Sequence, residues 1–386
     1  MLELGKEIRL LSHNKINTIR DLCGWPTVKD DPHDAVCCAY YGWMHIDNLS
    51  AFNFTRRPEL ASAYLKFLEK ERLVRELRPT VNRGWNMLSY EFPEGDVNRD
   101  FSIDPKPIWG FIAGKPISKR ATSVYSAKLA TSVGSAARNG FSAELIRRAA
   151  HIYDLQHYRL ELKQEFDEFL GDPQYQWLKP TFDEFGFTTF ERIIFLCQFD
   201  PFEQFLDSDL RELRLEKKRH RGQSGKCITR RLGLAKFHAR MGKAVYPWSS
   251  GEKEGHIVSG SQLARNHWHL WVYRSIVLNF SRTGNKLIED LKLTYSSDVG
   301  LSKMTLSKLI ALDDKDLIEG LDLLKDSTIG KVFIPLISEA LSRKKSPLNH
   351  LKQKGTSRLN AWARSRVSDR AVKILFKRLT VAIRAR

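Results

Sequence analysis

Apolar positions recur at helical spacing over several parts of the chain. In 58–77, PELASAYLKFLEKERLVREL, the residues Leu60, Tyr64, Leu65, Phe67, Leu68, Leu73 and Leu77 fall near one face. Pro58 stands where a first helical turn tolerates proline, so the spacing predicts a helix. The stretch 141–170 predicts one long helix, opened by Ser142 as N-cap and stopped by Gly171-Asp172-Pro173. A helix over 202–219 would carry basic later turns. Beyond Gly284 the pattern is helical, with helices expected over 285–293, 303–312, 314–325, 328–345 and 368–384. The Gly-, Pro-, Asn- and Asp-rich stretch 78–116 reads as loop or short strand.

Two stretches follow another rule. RIIFLCQF, 192–199, is a continuous apolar run ended by Asp200-Pro201, and it reads as a short strand. RNHWHLWVYRSIVLNF, 265–280, has strand composition. Alternation would put His267, His269, Trp271 and Tyr273 on one face, with Trp268, Leu270 and Val272 on the other. A further short strand is expected at 243–246, and a loop or hairpin tip at 248–262. The expected class is therefore α+β, with a small central antiparallel sheet, flanking helices and a basic helical C-terminal region. The organisation expected is a mixed region over 1–140, a long helix and linker over 141–180, an α/β domain over 181–300, and the helical region over 301–386.

Charge sharpens this picture. The 386 residues carry 63 Lys and Arg against 45 Asp and Glu, a net charge of +18. A field of that sign attracts polyanions, with nucleic acid the commonest partner. The excess is concentrated in two blocks. One holds Arg211, Arg214, Lys217, Lys218, Arg219, Arg221, Lys226, Arg230, Arg231, Lys236, Arg240 and Lys243, opposed by Glu212 and Glu216 alone. The other, over 341–386, includes Lys344, Lys345, Arg370, Lys373, Lys377 and Arg378, and Asp369 is its only acid. Like charges packed together repel unless something screens them, so these blocks are the expected nucleic-acid contacts, with DNA the expected partner.

His267 and His269 are the candidate chemistry. Two imidazoles side by side on a strand would reach one divalent ion through neutral nitrogens. His267-Trp268-His269 followed by Leu270-Trp271-Val272 resembles the HUH endonuclease superfamily, in which a His–hydrophobic–His motif lies on a sheet strand. That superfamily includes rolling-circle replication initiators of phages and plasmids, related transposases, and relaxases. The apolar run 193–199 with Asp200-Pro201, then a basic helix, extends the resemblance upstream, so that it covers 188–295. The resemblance implies a DNA-nicking enzyme of a phage or mobile element. Mg²⁺ or Mn²⁺ would be held by His267, His269 and a third ligand, Glu254, with Glu252 and Gln198 as alternatives. A downstream tyrosine would attack the phosphate and form a 5′-phosphotyrosine. Tyr295, which follows Tyr273 as the last tyrosine, takes that role in the resemblance. It departs from the family pattern: Val299 stands where a lysine is common, and no Gly-Thr-Pro-type lead precedes the histidines. The other expectation, from charge alone, is a non-catalytic nucleic-acid-binding subunit of a replication, defence or packaging complex.

Other constellations fall short. Cys23, His33, Cys37, Cys38 and His45 lack a Cys-x₂₋₄-Cys knuckle. Gly222 to Lys226 has the wrong spacing for a phosphate loop, and Cys227 replaces the hydroxyl residue. No apolar run reaches the roughly 20 residues of a membrane span. The opening MLELGKEIRLLSHNK has no apolar core, so no secretory signal is expected, and the cysteines read as reduced thiols of a cytoplasmic protein.

Overall fold

The computed structural model describes residues 13–25, 31–45, 57–96, 104–218, 227–250, 253–278, 285–312, 314–319, 330–343 and 345–386. Helices α1 (His13–Leu22) and α2 (Asp31–Met44) form a pair joined by Arg20, whose guanidinium donates to Asp34 at 2.9 Å. Helix α3 (Pro58–Glu91) runs well past the expected end at 77. Its buried residues continue in helical register through Val81, Trp85 and Leu88, so part of 78–116 is helix rather than loop. Short helices α4 (Pro107–Ile112), α5 (Lys119–Ala130) and α6 (Ala136–Asn139) lead to α7 (Ala143–Leu170), which packs along α3. The Ser142 hydroxyl caps α7 by accepting from Leu145 N at 3.2 Å, as the sequence predicts.

The apolar run at 192–199 is not a strand. After α8 (Lys179–Phe185), it forms most of α9 (Thr189–Phe199). The Glu191 carboxylate accepts from Thr188 N at 2.8 Å, one half of a capping box. Nearly every α9 residue is buried because neighbours surround it on all sides, which erases the helical period.

The stretch expected to be the histidine-bearing strand is also helical. Helix α10 (Leu232–Arg240) precedes α11 (Gln262–Val272), which runs into a π-helical turn, Tyr273–Val277. Ala264, His267, Trp268, Trp271, Val272, Ser275 and Ile276 are buried, a three-and-four spacing that belongs to a helix. The Ser261 hydroxyl opens α11 by accepting from Ala264 N at 3.1 Å.

Strands β1 (Arg214–Lys218) and β2 (Cys227–Arg231) make one antiparallel ribbon, and β3 (Ala244–Ser250) and β4 (Lys253–Ser259) make another. The two ribbons are separate, and among the described residues no central sheet exists. The α+β expectation is thus overturned, and the architecture is an assembly of helices. The expected basic helix over 202–219 is instead a short 3₁₀ turn followed by strand β1.

Helix α12 (Lys286–Ile310) joins two expected helices into one and is capped by Asn285, which accepts from Ile288 N at 3.3 Å. Helices α13 (Asp314–Glu319) and α14 (Gly330–Ser342) precede α15 (Pro347–Arg384). At 38 residues, α15 is about 57 Å long. It begins far before the expected Ser368, which is buried mid-helix. Its first half packs Leu351 and Leu359 into a cluster with α12 and α14. Its second half packs Val367, Ala371, Leu375, Leu379 and Ile383 into the main core with α3, α8, α9, α10 and α11. Among the described residues, no helix is long and apolar enough to cross a membrane.

Candidate functional site

The two histidines do not form the expected ligand pair. Positions two apart on an α-helix are turned about 200° from each other. His267 is buried at 6% exposure, with Phe67 edge-on to its ring, and its Nε2 lies 3.2 Å from Glu71 Oε1. His269 is half-buried. Burial, then the charges of Lys243, Arg364 and Arg265, push it down to about 4. Glu254 sits on β4 opposite Ser249, with its side chain outside the described residues. Among the described residues, no group of three His, Cys, Asp or Glu is placed to hold a metal ion. His267 and His269 thus do not face one ion together, and the third donor named for Mg²⁺ or Mn²⁺, Glu254, has its side chain outside the described residues. Tyr295 lies on α12, half-buried against the main core, where burial raises its hydroxyl and Arg364 opposes the rise.

What the histidines do border is a basic cleft of about 760 Å³ between α3, α7, α11 and α15. Lys70, Arg75 and Arg78 line it from α3, Arg159 from α7 and Arg364 from α15. Glu71 is the one carboxylate lining it. Its Oε1 also accepts from Lys70 Nζ at 2.6 Å. Burial raises the Glu71 carboxyl, but the His267 hydrogen bond and the Lys70 charge outweigh that and hold it at about 2. Burial pushes Lys70 itself down, with Glu71 opposing. Arg159 pairs with Asp104 at 2.7 Å. Arg75, Arg78 and Arg364 make no ion pair among the described residues. Tyr273, 44% exposed at the start of the π-turn, borders the cleft with Arg364 6.0 Å from its ring centroid. A π-turn inside a helix often re-aims side chains at a functional site.

Sequence reasoning missed this cleft because Lys70, Arg75 and Arg78 lie outside the two basic blocks. The signal was their spacing. On a helix, 70, 71, 74, 75 and 78 share one face.

The two blocks themselves meet elsewhere. Arg211, Arg214 and Arg231 line a groove of about 680 Å³ opposite Lys377 and Arg384 of α15. Part of this charge is already compensated. Arg231 is bidentate to Glu212 at 2.6–2.9 Å, and Arg384 Nε donates to Leu210 O at 2.8 Å. Of the other expected contacts, Arg378 pairs with Glu184 at 2.8 Å and Arg370 donates to Thr294 Oγ1 at 2.8 Å. Lys345 and Lys373 are exposed. On α10, burial and then Arg240 push Lys236 down. Lys217, Lys218 and Arg230 lie on the first ribbon with side chains outside the described residues, and Arg219, Arg221, Lys226 and Lys344 lie outside them altogether.

No protein-family model, curated protein or solved structure matches the chain.

Proposed function

We propose that this protein binds single-stranded nucleic acid, DNA in the first instance, along the cleft between α3 and α15. The observation that carries the reading is the set Arg75, Arg78 and Arg364. These three guanidiniums line one cleft whose single lining carboxylate is already satisfied by Lys70 and His267. Uncompensated cations facing a shared space repel one another, and a phosphate backbone relieves that repulsion while releasing counterions. Tyr273 adds an exposed ring on which a base can stack, a common device of strand-binding proteins. The groove joining the two basic blocks supplies a second run of cations on the same long helix.

The nicking chemistry implied by the HUH resemblance draws no support from this geometry, because it requires a strand-borne imidazole pair. The proposal is accordingly a binding function without strand cleavage.

The test is fluorescence anisotropy of a labelled single-stranded oligonucleotide across a salt series. Three phosphate contacts on a single strand predict a log–log slope of about −2 or steeper. Arg75→Glu with Arg78→Glu should weaken binding by about tenfold or more and flatten that slope. Salt-independent binding, or none, sinks the reading. Incubation with Mn²⁺ followed by denaturing electrophoresis provides the other arm. A protein–DNA adduct there would replace passive binding by nicking.

A further inference from the structure

The groove beside α15 differs from the cleft in its lining. Tyr273 offers the cleft a ring that is 44% exposed, whereas Phe376, the ring lining the groove, is 1% exposed. Single strands are commonly held by stacking on exposed rings. A duplex keeps its bases stacked on one another and is positioned through its phosphates. The cationic, ring-poor groove matches the second case.

The shape of α15 agrees. Arg366, Arg370, Lys373, Lys377 and Arg384 are all exposed, and steps of three, four and seven residues keep them on one face of the helix. They extend about 27 Å along its axis, the rise of about eight base pairs. Ala371, Leu375, Leu379 and Ile383 are buried in the main core, which fixes the cationic face outward. Asp298 holds Arg366 at 3.1 Å, and Arg370 donates to Thr294 Oγ1 at 2.8 Å. Lys373 and Lys377 make no ion pair among the described residues.

The foot of the β1–β2 ribbon stands across the groove from Lys377 and Arg384. The ribbon pairs Arg214 with Arg231 at one end and Lys218 with Cys227 at the other, and no third strand joins it among the described residues. A two-stranded ribbon is narrow enough to enter the major groove of a duplex. Arg214, Lys217, Lys218, Arg230 and Arg231 lie on its strands, with Glu216 as their one acid. Its foot is pinned to the body, because Gly233 N donates to Leu213 O at 2.8 Å and Leu213 N donates to Phe205 O at 3.1 Å. A Cβ on Gly233 would stand 2.1 Å from Phe205 O, so glycine permits this close approach.

We propose that the cationic face of α15 and the β1–β2 ribbon hold a short duplex, so that the substrate is a junction. Its single strand lies in the cleft between α3 and α15, and its paired part lies along the groove. The inference rests on the single-strand binding proposed above and names its substrate class. A long unpaired strand still reaches the cations of the groove, but a duplex sets two rows of phosphates against them.

The experiment uses the full chain and three labelled probes read by fluorescence anisotropy. One is a single strand of roughly fifteen nucleotides. The second is the same strand with roughly ten of them paired to a complement, and the third is that duplex without the tail. The tailed duplex should bind about tenfold more tightly than either of the others, with the steepest salt dependence. Arg211→Glu with Lys377→Glu, both at exposed positions, should erase its advantage over the single strand. Arg75→Glu with Arg78→Glu should instead erase its advantage over the blunt duplex. A single strand that binds as tightly as the tailed duplex overturns the duplex site and leaves single-strand binding in place. An advantage that survives Arg211→Glu with Lys377→Glu also overturns the duplex site. A blunt duplex that binds as tightly as the tailed one overturns the single-strand cleft and the junction with it. Binding of no probe overturns both readings.

Discussion

His267 Nε2 lies 3.2 Å from Glu71 Oε1, a contact between α11 and α3 across 196 residues of chain. The same oxygen holds the buried ammonium of Lys70 at 2.6 Å, so one carboxylate compensates two buried groups at the floor of the basic cleft. Glu71→Gln removes the carboxylate bonded to the buried Lys70 and leaves only the more remote charge of Glu191. It should lower stability in urea denaturation by roughly 3 kcal/mol. It should at the same time tighten binding of single-stranded DNA, because the cleft loses its negative charge. A variant that keeps full stability would show that the carboxylate compensates nothing.

Acid sensitivity follows from the same neighbourhood. Burial first, then Lys243, Arg364 and Arg265, hold His269 at about 4. Burial first, then Lys373, Lys243 and Arg231, hold His238 at about 4 as well. Both values lie below the ordinary 6.5 of a free imidazole. Between those limits the unfolded chain binds more protons than the folded one, so stability is lost as pH falls from 6.5 towards 4 and is fully present above 6.5. Glu71, held at about 2 against an ordinary 4.5, adds a further loss below pH 4.5. Thermal melts should therefore fall progressively from pH 6.5 downwards. His269→Gln and His238→Gln should each remove part of the fall above pH 4.5. A bound oligonucleotide should spare the His269 share alone, because phosphates would offset Arg364. Melts flat between pH 6.5 and 4.5 would contradict the buried neutral imidazoles.

Much of the helical framework is legible in the sequence, because α3 and α7 keep one apolar face and α7 has its Ser142 cap. The two errors with consequences, 192–199 and 265–280, have different causes. The first is buried on nearly all sides and so loses its period. The second keeps a helical period of burial, but Leu270 and Tyr273 on its exposed face are apolar or aromatic too, so the composition resembles a strand. Thr188-x-x-Glu191 before α9 and Ser261 before α11 were the local signals that favoured helix. The cleft was less legible than the helices. Its cations come from α3, α7 and α15, far apart in sequence, and only packing unites them.

The helical placement of 262–277 has a direct mutational signature. In a strand, Leu270 would share the buried face of Trp268, and Trp271 would face outward. In α11, Trp268 and Trp271 are fully buried and Leu270 is 55% exposed. Trp271 Nε1 also donates to Phe185 O at 2.8 Å. Leu270→Lys should change stability by about 0.5 kcal/mol or less. Trp271→Ala should cost roughly 3–5 kcal/mol from lost packing and the orphaned Phe185 carbonyl. The reverse order of effects would restore the strand.

Helix α15 borders both basic spaces, with Arg364 at the α3 cleft and Lys377 at the groove that joins the two blocks. The two positions are about 20 Å apart along the helix axis. A strand that followed α15 would engage the cleft first, since Arg75, Arg78 and Arg364 there make no ion pair among the described residues, and the groove only when long enough. The groove is the weaker site because Glu212 already holds Arg231. Oligonucleotides of roughly five and roughly fifteen nucleotides bracket the usual site sizes and separate the two contributions. Arg75→Glu should weaken both lengths. Lys377→Glu with Arg211→Glu should weaken the longer strand by about tenfold and reduce its salt slope, while leaving the shorter one unchanged. Equal effects of the groove variant on both lengths would mean that the groove, and not the cleft, is where a strand first binds.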